Sequence, residues 1–334
     1  MGFEDVIDKD FRGCCLITRE DTVLFEKAFG YADYPNKTPN TVETKFATAS
    51  AGKVFVAVAI LQLIEKGMLH FNDTLGKLLD FDLHQIDTEI TVEQLLTHTS
   101  GIPDYFDESI LDNYEALWKN YPNYKIRTNA DLLPLFIHKP MLYAKGERFQ
   151  YNNTGYVVLA LILEKITKLA FDEYLQLHIF DVCGMKSTGY YALDRLPAKC
   201  ASNYILEEGC NEFRTNIYSV DVKGTGAGGA FTTVKDVARF WNTLLSHKLL
   251  SAEMTAKMLM CHSKNSTDEY YGYGVWLKKL ANGVYSPYIQ GCDPGVSFIS
   301  AYDTSHNTVM TLVSNYGDNV WKNLRNIRET LSVK

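Results

Sequence analysis

Several things are missing from this sequence, and each absence narrows its chemistry. The most apolar run, residues 54–64, is 11 residues long, where a bilayer-spanning helix needs about 20. The first twelve residues are charged and carry no apolar export-signal core. There is no dense Lys/Arg run, and 40 acidic against 33 basic side chains leave a formal charge of −7. A nucleic-acid partner, which requires a basic face, is therefore not expected. Cysteine is present seven times, an odd number with no C-x-x-C pair, so neither a disulfide framework nor a zinc site is expected. A reduced, cytoplasmic compartment is the simplest reading, although an exported chain trimmed of its signal has the same appearance. H-E-x-x-H, P-loop and G-x-S-x-G patterns are absent, which argues against a zincin, a P-loop NTPase and an α/β-hydrolase elbow. The eight histidines show no ligand spacing. No metal, no cofactor and no membrane span are expected, and the oligomeric state is not legible.

What is present is an ordinary globular composition, 46% hydrophobic and 22% charged over 334 residues, long enough for two cores or one large one. Two β-like runs, 14–18 and 22–29, flank the charged turn Arg19-Glu20-Asp21 and predict a hairpin. A helix is predicted from about Ser50 to the stop signal Lys66-Gly67. Residues 91–96, 154–168 and 233–245 have helical spacing, and a final amphipathic helix covers roughly 319–331. Strand-like runs lie at 274–278, 295–302 and 308–314. Strands at both chain ends with helices between them predict an α+β fold. An antiparallel sheet from the N- and C-terminal segments, flanked by helices, would carry an inserted, mostly helical lobe. The expected division is 1–70 with 225–334 as the sheet lobe and 71–224 as the helical lobe, with a cleft between them.

Two clusters carry chemistry. In Ser50-Ala51-Gly52-Lys53 the lysine lies one helical turn beyond the serine and shares its face. This suits a hydroxyl nucleophile beside an amine base, and a helix N-terminus adds free N–H groups for a developing oxyanion. The bland alternative is that Ser50 is only an N-cap. In Tyr151-Asn152-Asn153 a phenol and an amide stand at a loop-to-helix junction, where both can face a cleft. Tyr34-Pro35-Asn36 and Tyr121-Pro122-Asn123 repeat the Tyr-x-Asn spacing, but their prolines read as turns.

These segments resemble the serine β-lactamase and penicillin-binding protein family, in particular class C β-lactamases and the related carboxypeptidases and esterases. Ser50-Ala51-Gly52-Lys53 is similar to the family's first motif. Tyr151-Asn152-Asn153-Thr154-Gly155-Tyr156 is similar to its second, about 100 residues on. Lys27 to Asp33, Leu95 to Ile102, Ala227 to Thr233 and Tyr271 to Trp276 match further landmarks in order, so the resemblance covers about 12–316. It implies a β-lactamase/transpeptidase-like fold and a serine hydrolase that forms an acyl-enzyme at Ser50. It also implies that Lys53 and Tyr151 activate the serine, that Asn153 orients Lys53 and the substrate, and that the N–H groups of Ser50 and Cys292 bind the oxyanion. Free Lys and Tyr both titrate near 10. Burial lowers the one and a nearby cation the other, so the two are expected to share protons. Which of them takes the serine proton stays open here.

The third motif departs from the family, which has Lys-Thr-Gly or His-x-Gly on a sheet-edge strand facing the nucleophile. The matching stretch is Ile289-Gln290-Gly291-Cys292-Asp293-Pro294-Gly295. Ile289 stands where the cation is expected, or Gln290 in a shifted alignment. A free carboxylate on the substrate then lacks its positive partner, and neutral esters or peptides are expected to be preferred. His98 and Asp104 invite a Ser-His-Asp reading, but a packed or capping histidine is commoner. Ser100 reads as a turn and Cys292 as an inert thiol. The leading reading is a hydrolase of a small-molecule or peptide amide or ester; the alternative is a non-catalytic binding or sensor protein on the same scaffold.

Overall fold

A computed structural model describes residues 2–20, 22–111, 114–207 and 209–333. Asp21, in the predicted turn, lies outside them. The central feature is an eight-stranded antiparallel sheet. Its strands are β1 (Gly13–Arg19), β2 (Thr22–Phe29), β3 (Ser263–Lys264), β4 (Glu269–Tyr271), β5 (Trp276–Lys279), β6 (Tyr285–Asp293), β7 (Val296–Asp303) and β8 (Thr308–Ser314). Their spatial order is β2-β1-β8-β7-β6-β5-β4-β3. Pairing of Cys14 with Val313 and of Arg19 with Thr308 joins the two ends of the chain in the sheet. The β1–β2 hairpin forms as expected, with a register shift between Ile17 and Thr18.

Both faces of the sheet are covered, which explains why β1 is apolar almost throughout instead of alternating. The period of two still sorts its side chains. Cys14 and Leu16 enter the large core, while Cys15 and Ile17 face the other side. That second side is sealed by Val320, Leu324, Ile327 and Leu331 of the last helix. The helices that matter below are α1 (Lys53–Glu65), α2 (Val92–Leu96), α3 (Asn153–Thr167), α4 (Val234–Leu245) and α5 (Val320–Val333). Helix α1 is buried on every side from Lys53 to Leu63, as expected for a helix that is apolar all round. Each large side chain it buries contributes roughly 1.5–3 kcal/mol before ordering entropy. By contrast α4 is strongly two-faced, with Val234, Val237, Trp241 and Leu244 inward.

Two local expectations are refined and one, the edge position of the third-motif strand, is corrected. Helix α1 does not begin at Ser50; a 3-10 turn, Ala49–Gly52, precedes it. The third-motif strand β6 is not at a sheet edge, because β5 and β7 pair with it on either side. Within 71–224 a two-stranded hairpin, Tyr204–Leu206 with Phe213–Thr215, stands among helices and 3-10 turns. Its strands are three residues long, too short for periodicity to reveal.

Candidate active site

The Ser50 turn is held from several directions by backbone. Thr48 N–H donates to Ala230 O at 2.8 Å, and Gly229 N–H donates to Ala49 O at 3.0 Å. Ala49 is forced to φ 46°, a left-handed conformation that is strained for a residue with a Cβ. Gly228 is needed here, since a Cβ at its position would lie 2.2 Å from Ala49 O. Strand β6 closes the turn from the sheet side. A Cβ on Gly291 would sit 2.3 Å from Thr48 O and 2.6 Å from Ser50 N, so only glycine lets the strand approach the serine.

One turn on, the Lys53 ammonium is 2% exposed. It donates to Ser50 Oγ at 2.9 Å, to Asn153 Oδ1 at 2.8 Å and to Ala227 O at 2.5 Å. Burial pulls its pKa down from 10.5 to about 8, against the opposing pull of Glu108, Asp104, Asp293 and Asp221. Tyr151 is half-buried, with its ring 4.9 Å from the Lys53 nitrogen and stacked on Trp276. Its hydroxyl is hydrogen-bonded to Ser50, which lowers its pKa, but burial first and the Glu108 charge second push it well above 10. Against the expectation that a nearby cation lowers the phenol, the two shifts run in opposite directions. Lys53 moves down, Tyr151 moves up, and near neutral pH the phenol keeps its proton.

The Tyr151–Asn153 segment is fixed by capping. Asn152 caps α3, accepting from Gly155 N at 2.8 Å. Asp104 accepts from Asn153 N at 2.8 Å, Thr154 N at 3.0 Å and Thr154 Oγ1 at 3.1 Å. The Asn153 amide then donates to Glu108 Oε1 at 3.0 Å and to Phe106 O at 3.3 Å. His98 grips the same segment: its carbonyl accepts from Gln150 N, and its Nδ1 accepts from Asn152 N at 3.2 Å. Burial, and then the charge of Lys53, hold His98 neutral. Asp104 is engaged with α3 and not with His98, so the two form no triad. Ser100 Oγ accepts from Ile102 N at 3.3 Å and closes a turn. The decoy Asn123 is structural, its amide donating to Ile217 O and Val220 O.

Two cavities meet at Ser50. One, of about 400 Å³, is lined by Asn153, Tyr105, Tyr114, Asp221, Cys292 and Asp293. The other, of about 460 Å³, is lined by Tyr151, Trp276, Gln290, Gly291 and Trp321, and both share Glu108 and Cys292. No Lys, Arg or His lines either one among the described residues. Ile289 is 3% exposed and belongs to the core. Of the two candidates for the family's cation position, Gln290 reaches the cavity, with its Oε1 accepting from Trp321 Nε1 at 2.7 Å. Cys292 is exposed, and burial of its sulfur by the cavity walls raises its pKa to about 11. Among the described residues no three His, Cys, Asp or Glu converge on a possible metal position, and no helix is long and apolar enough to cross a membrane.

The beta-lactamase family model matches residues 8–333. The chain belongs to the beta-lactamase family. It is a serine hydrolase of that superfamily, with the α+β β-lactamase/transpeptidase fold. Among solved structures it is similar to a penicillin-binding protein from Bacillus halodurans, at 38% identity over 98% of each chain and a TM-score of 0.93. Among curated proteins it is 29% identical to the putative penicillin-binding protein PbpX of Bacillus subtilis (strain 168), over 92% of this chain and 72% of that one. A D-amino acid amidase from Ochrobactrum anthropi SV3 shares the fold at 19% identity, TM-score 0.82, over 99% and 98% of the two chains. Within this beta-lactamase-family enzyme, Asp293 and the Ala227 carbonyl come from stretches matched to the family, whereas Glu108 and Asp221 line the site without any motif announcing them. Segments far apart in sequence bring Glu108 and Asp221 to the cavity beside Ser50, so only three-dimensional proximity reveals these two.

Proposed function

We propose that the protein hydrolyses an amide or ester through an acyl-enzyme on Ser50, in a cleft between a sheet lobe (1–70 and 225–334) and an inserted helical lobe (71–224). The observation that carries this reading is the buried Lys53 amine, 2.9 Å from Ser50 Oγ and with a pKa drawn down to about 8. An amine with that pKa is partly neutral at physiological pH and matched to general-base work. Lys53 takes the Ser50 proton as Oγ attacks the carbonyl carbon. The N–H groups of Ser50 and Cys292 receive the developing oxyanion, with Gly291 allowing the close approach. The neutral Tyr151 phenol donates its proton to the leaving nitrogen or oxygen and recovers one from Lys53. Asn153 holds Lys53 and contacts the substrate. Water then attacks the acyl carbonyl, gives a proton to the same relay and releases Ser50.

Gln290 offers only a neutral amide, and no cation lines the cavities among the described residues. This supports neutral acyl substrates over the carboxylate-terminated ones of penicillin recognition. Seven unpaired cysteines support a reducing compartment such as the cytoplasm. The test is covalent labelling with a fluorophosphonate followed by peptide mapping. One label on the Ser50 peptide, lost in Ser50→Ala, is expected; labelling that survives Ser50→Ala refutes the assignment.

A further inference from the structure

In the cavity that holds Tyr151, three side-chain amides are fixed in direction. Gln290 stands on β6 beside Gly291, whose backbone packs against the Ser50 turn. Trp321, the second residue of α5, lines the same cavity and donates its Nε1–H to Gln290 Oε1 at 2.7 Å. An indole nitrogen can only donate, so this contact decides which end of the Gln290 amide faces the tryptophan. The Gln290 NH2 group is turned the other way, has no partner among the described residues, and is not sealed from the cavity. Two other amides on the wall are fixed in the opposite sense. Gln150 donates from its NH2 to Asp107 Oδ2 at 3.2 Å, and Asn265 from its own to Glu269 Oε2 at 2.6 Å. Their carbonyl oxygens accept nothing among the described residues. Phe149, Tyr151, Trp276 and Trp321 make the remaining wall flat and aromatic, with Tyr151 and Trp276 stacked at 5.7 Å. One free amide donor and two free amide oxygens among aromatic rings complement a neutral, planar amide. A carboxylate placed there would meet the two oxygens and Glu108 without a cation to offset them.

We propose that this cavity selects leaving groups carrying a neutral carboxamide a short linker beyond the scissile bond, and that Trp321 sets the preference by holding the Gln290 NH2 toward it. This rests on the acyl-enzyme reading above. The leaving group falls on this side because Tyr151, its proton donor, lines the cavity. The carboxamide oxygen accepts from Gln290 Nε2, and its N–H donates to Gln150 Oε1 or Asn265 Oδ1. The linker is short because Gln290 adjoins Gly291, which lies against Ser50 N. Trp321 touches no reacting atom and acts through Gln290 alone, so it is a positioning residue. Without its N–H the Gln290 amide is free to rotate and presents oxygen as readily as NH2. The selection between an acceptor and an apolar group of the same shape is then lost.

The experiment compares two esters of one acyl group whose leaving groups are isosteric, glycolamide and methallyl alcohol. They differ only in C=O and NH2 against C=CH2 and CH3. Each kcat/KM is divided by the hydroxide-catalysed rate of the same ester, which removes intrinsic reactivity. The expected ratio favours the glycolamide ester by roughly 5- to 50-fold, the scale of two neutral hydrogen bonds. Trp321→Phe keeps an aromatic ring and removes the N–H, and Gln290→Met keeps the length and removes the amide. In both the ratio should fall toward one, with folding checked by circular dichroism and melting temperature. A purely structural loss lowers both esters together and leaves the ratio as it was. A wild-type ratio of one or below overturns the proposal, and this measurement decides even where a variant does not fold. A wild-type ratio that persists in folded Gln290→Met overturns the carboxamide site, and one that persists in folded Trp321→Phe overturns the role of Trp321. An enzyme that accelerates neither ester, or accelerates them equally well as Ser50→Ala, refutes the acyl-enzyme reading itself and removes the ground for this one.

Discussion

Replacing Lys53 by Met tests catalysis and electrostatic strain in one variant. The native amine has its pKa lowered from 10.5 to about 8 by burial, so forcing it to stay charged in the folded state costs about 3 kcal/mol. Below about pH 8 the amine is charged in both states, and the native state carries that full penalty. Between about 8 and 10.5 the native amine is neutral while the unfolded one is still charged. The unfolded state then binds more protons, so stability climbs with pH. Above 10.5 both forms are neutral and the climb ends. Met has similar bulk and no charge, and it leaves Asn153 Oδ1 and Ala227 O without their donor, a loss of roughly 1–3 kcal/mol each that is independent of pH in this range. Wild type should therefore gain about 3 kcal/mol relative to Lys53→Met across that window, whatever the difference at neutral pH. Urea unfolding of both proteins at matched pH values measures this. In parallel, the Ser50 acylation rate of wild type should rise with pH and level off above about 8, while the variant loses on the order of 10²–10⁴-fold and the pH dependence. A stability difference that does not change across the window refutes the strained-lysine argument. A variant rate within roughly tenfold of wild type refutes Lys53 as the base.

Four further outcomes follow. Tyr151→Phe should lose roughly 10²-fold or more in acylation yet keep the rate inflection near 8, since that belongs to Lys53; a lost inflection assigns the titration to the phenol. Cys292→Ala should remain active, whereas a folded Cys292→Pro loses the N–H and about 2.7–4 kcal/mol of transition-state stabilisation; an inactive but folded Cys292→Ala points instead to thiol chemistry. Gly291→Ala should be destabilised by about 1–3 kcal/mol and impaired in labelling, because the new methyl meets Thr48 O and Ser50 N; wild-type melting and labelling contradict the close approach. For a matched free acid and methyl ester, wild type should prefer the ester and Gln290→Lys should shift toward the acid; a strong wild-type preference for the acid returns the enzyme to carboxylate recognition.

The sequence by itself determined the chemistry that local spacing can encode. Ser50 and Lys53 are three residues apart, so one turn of backbone is enough to bring them together. The apolar spacing of 154–168 announces α3, and the strands at both chain ends declared an α+β sheet through their apolar runs. Only the tertiary structure decided what depends on burial and on residues far apart in the chain. The opposed pKa shifts are the clearest case: Lys53 and Tyr151 titrate alike in water, and the desolvation each receives, weighed against distant carboxylates, drives their pKa values apart. The ambiguity at the third motif was resolved by strand geometry, in which successive side chains point to opposite faces, leaving Ile289 in the core and Gln290 at the cavity. The carboxylates of Glu108 and Asp221 belong to segments with no shared pattern. A field made by charges from separate loops is a property of their distances, and distances across a fold are not written in the order of residues along the chain.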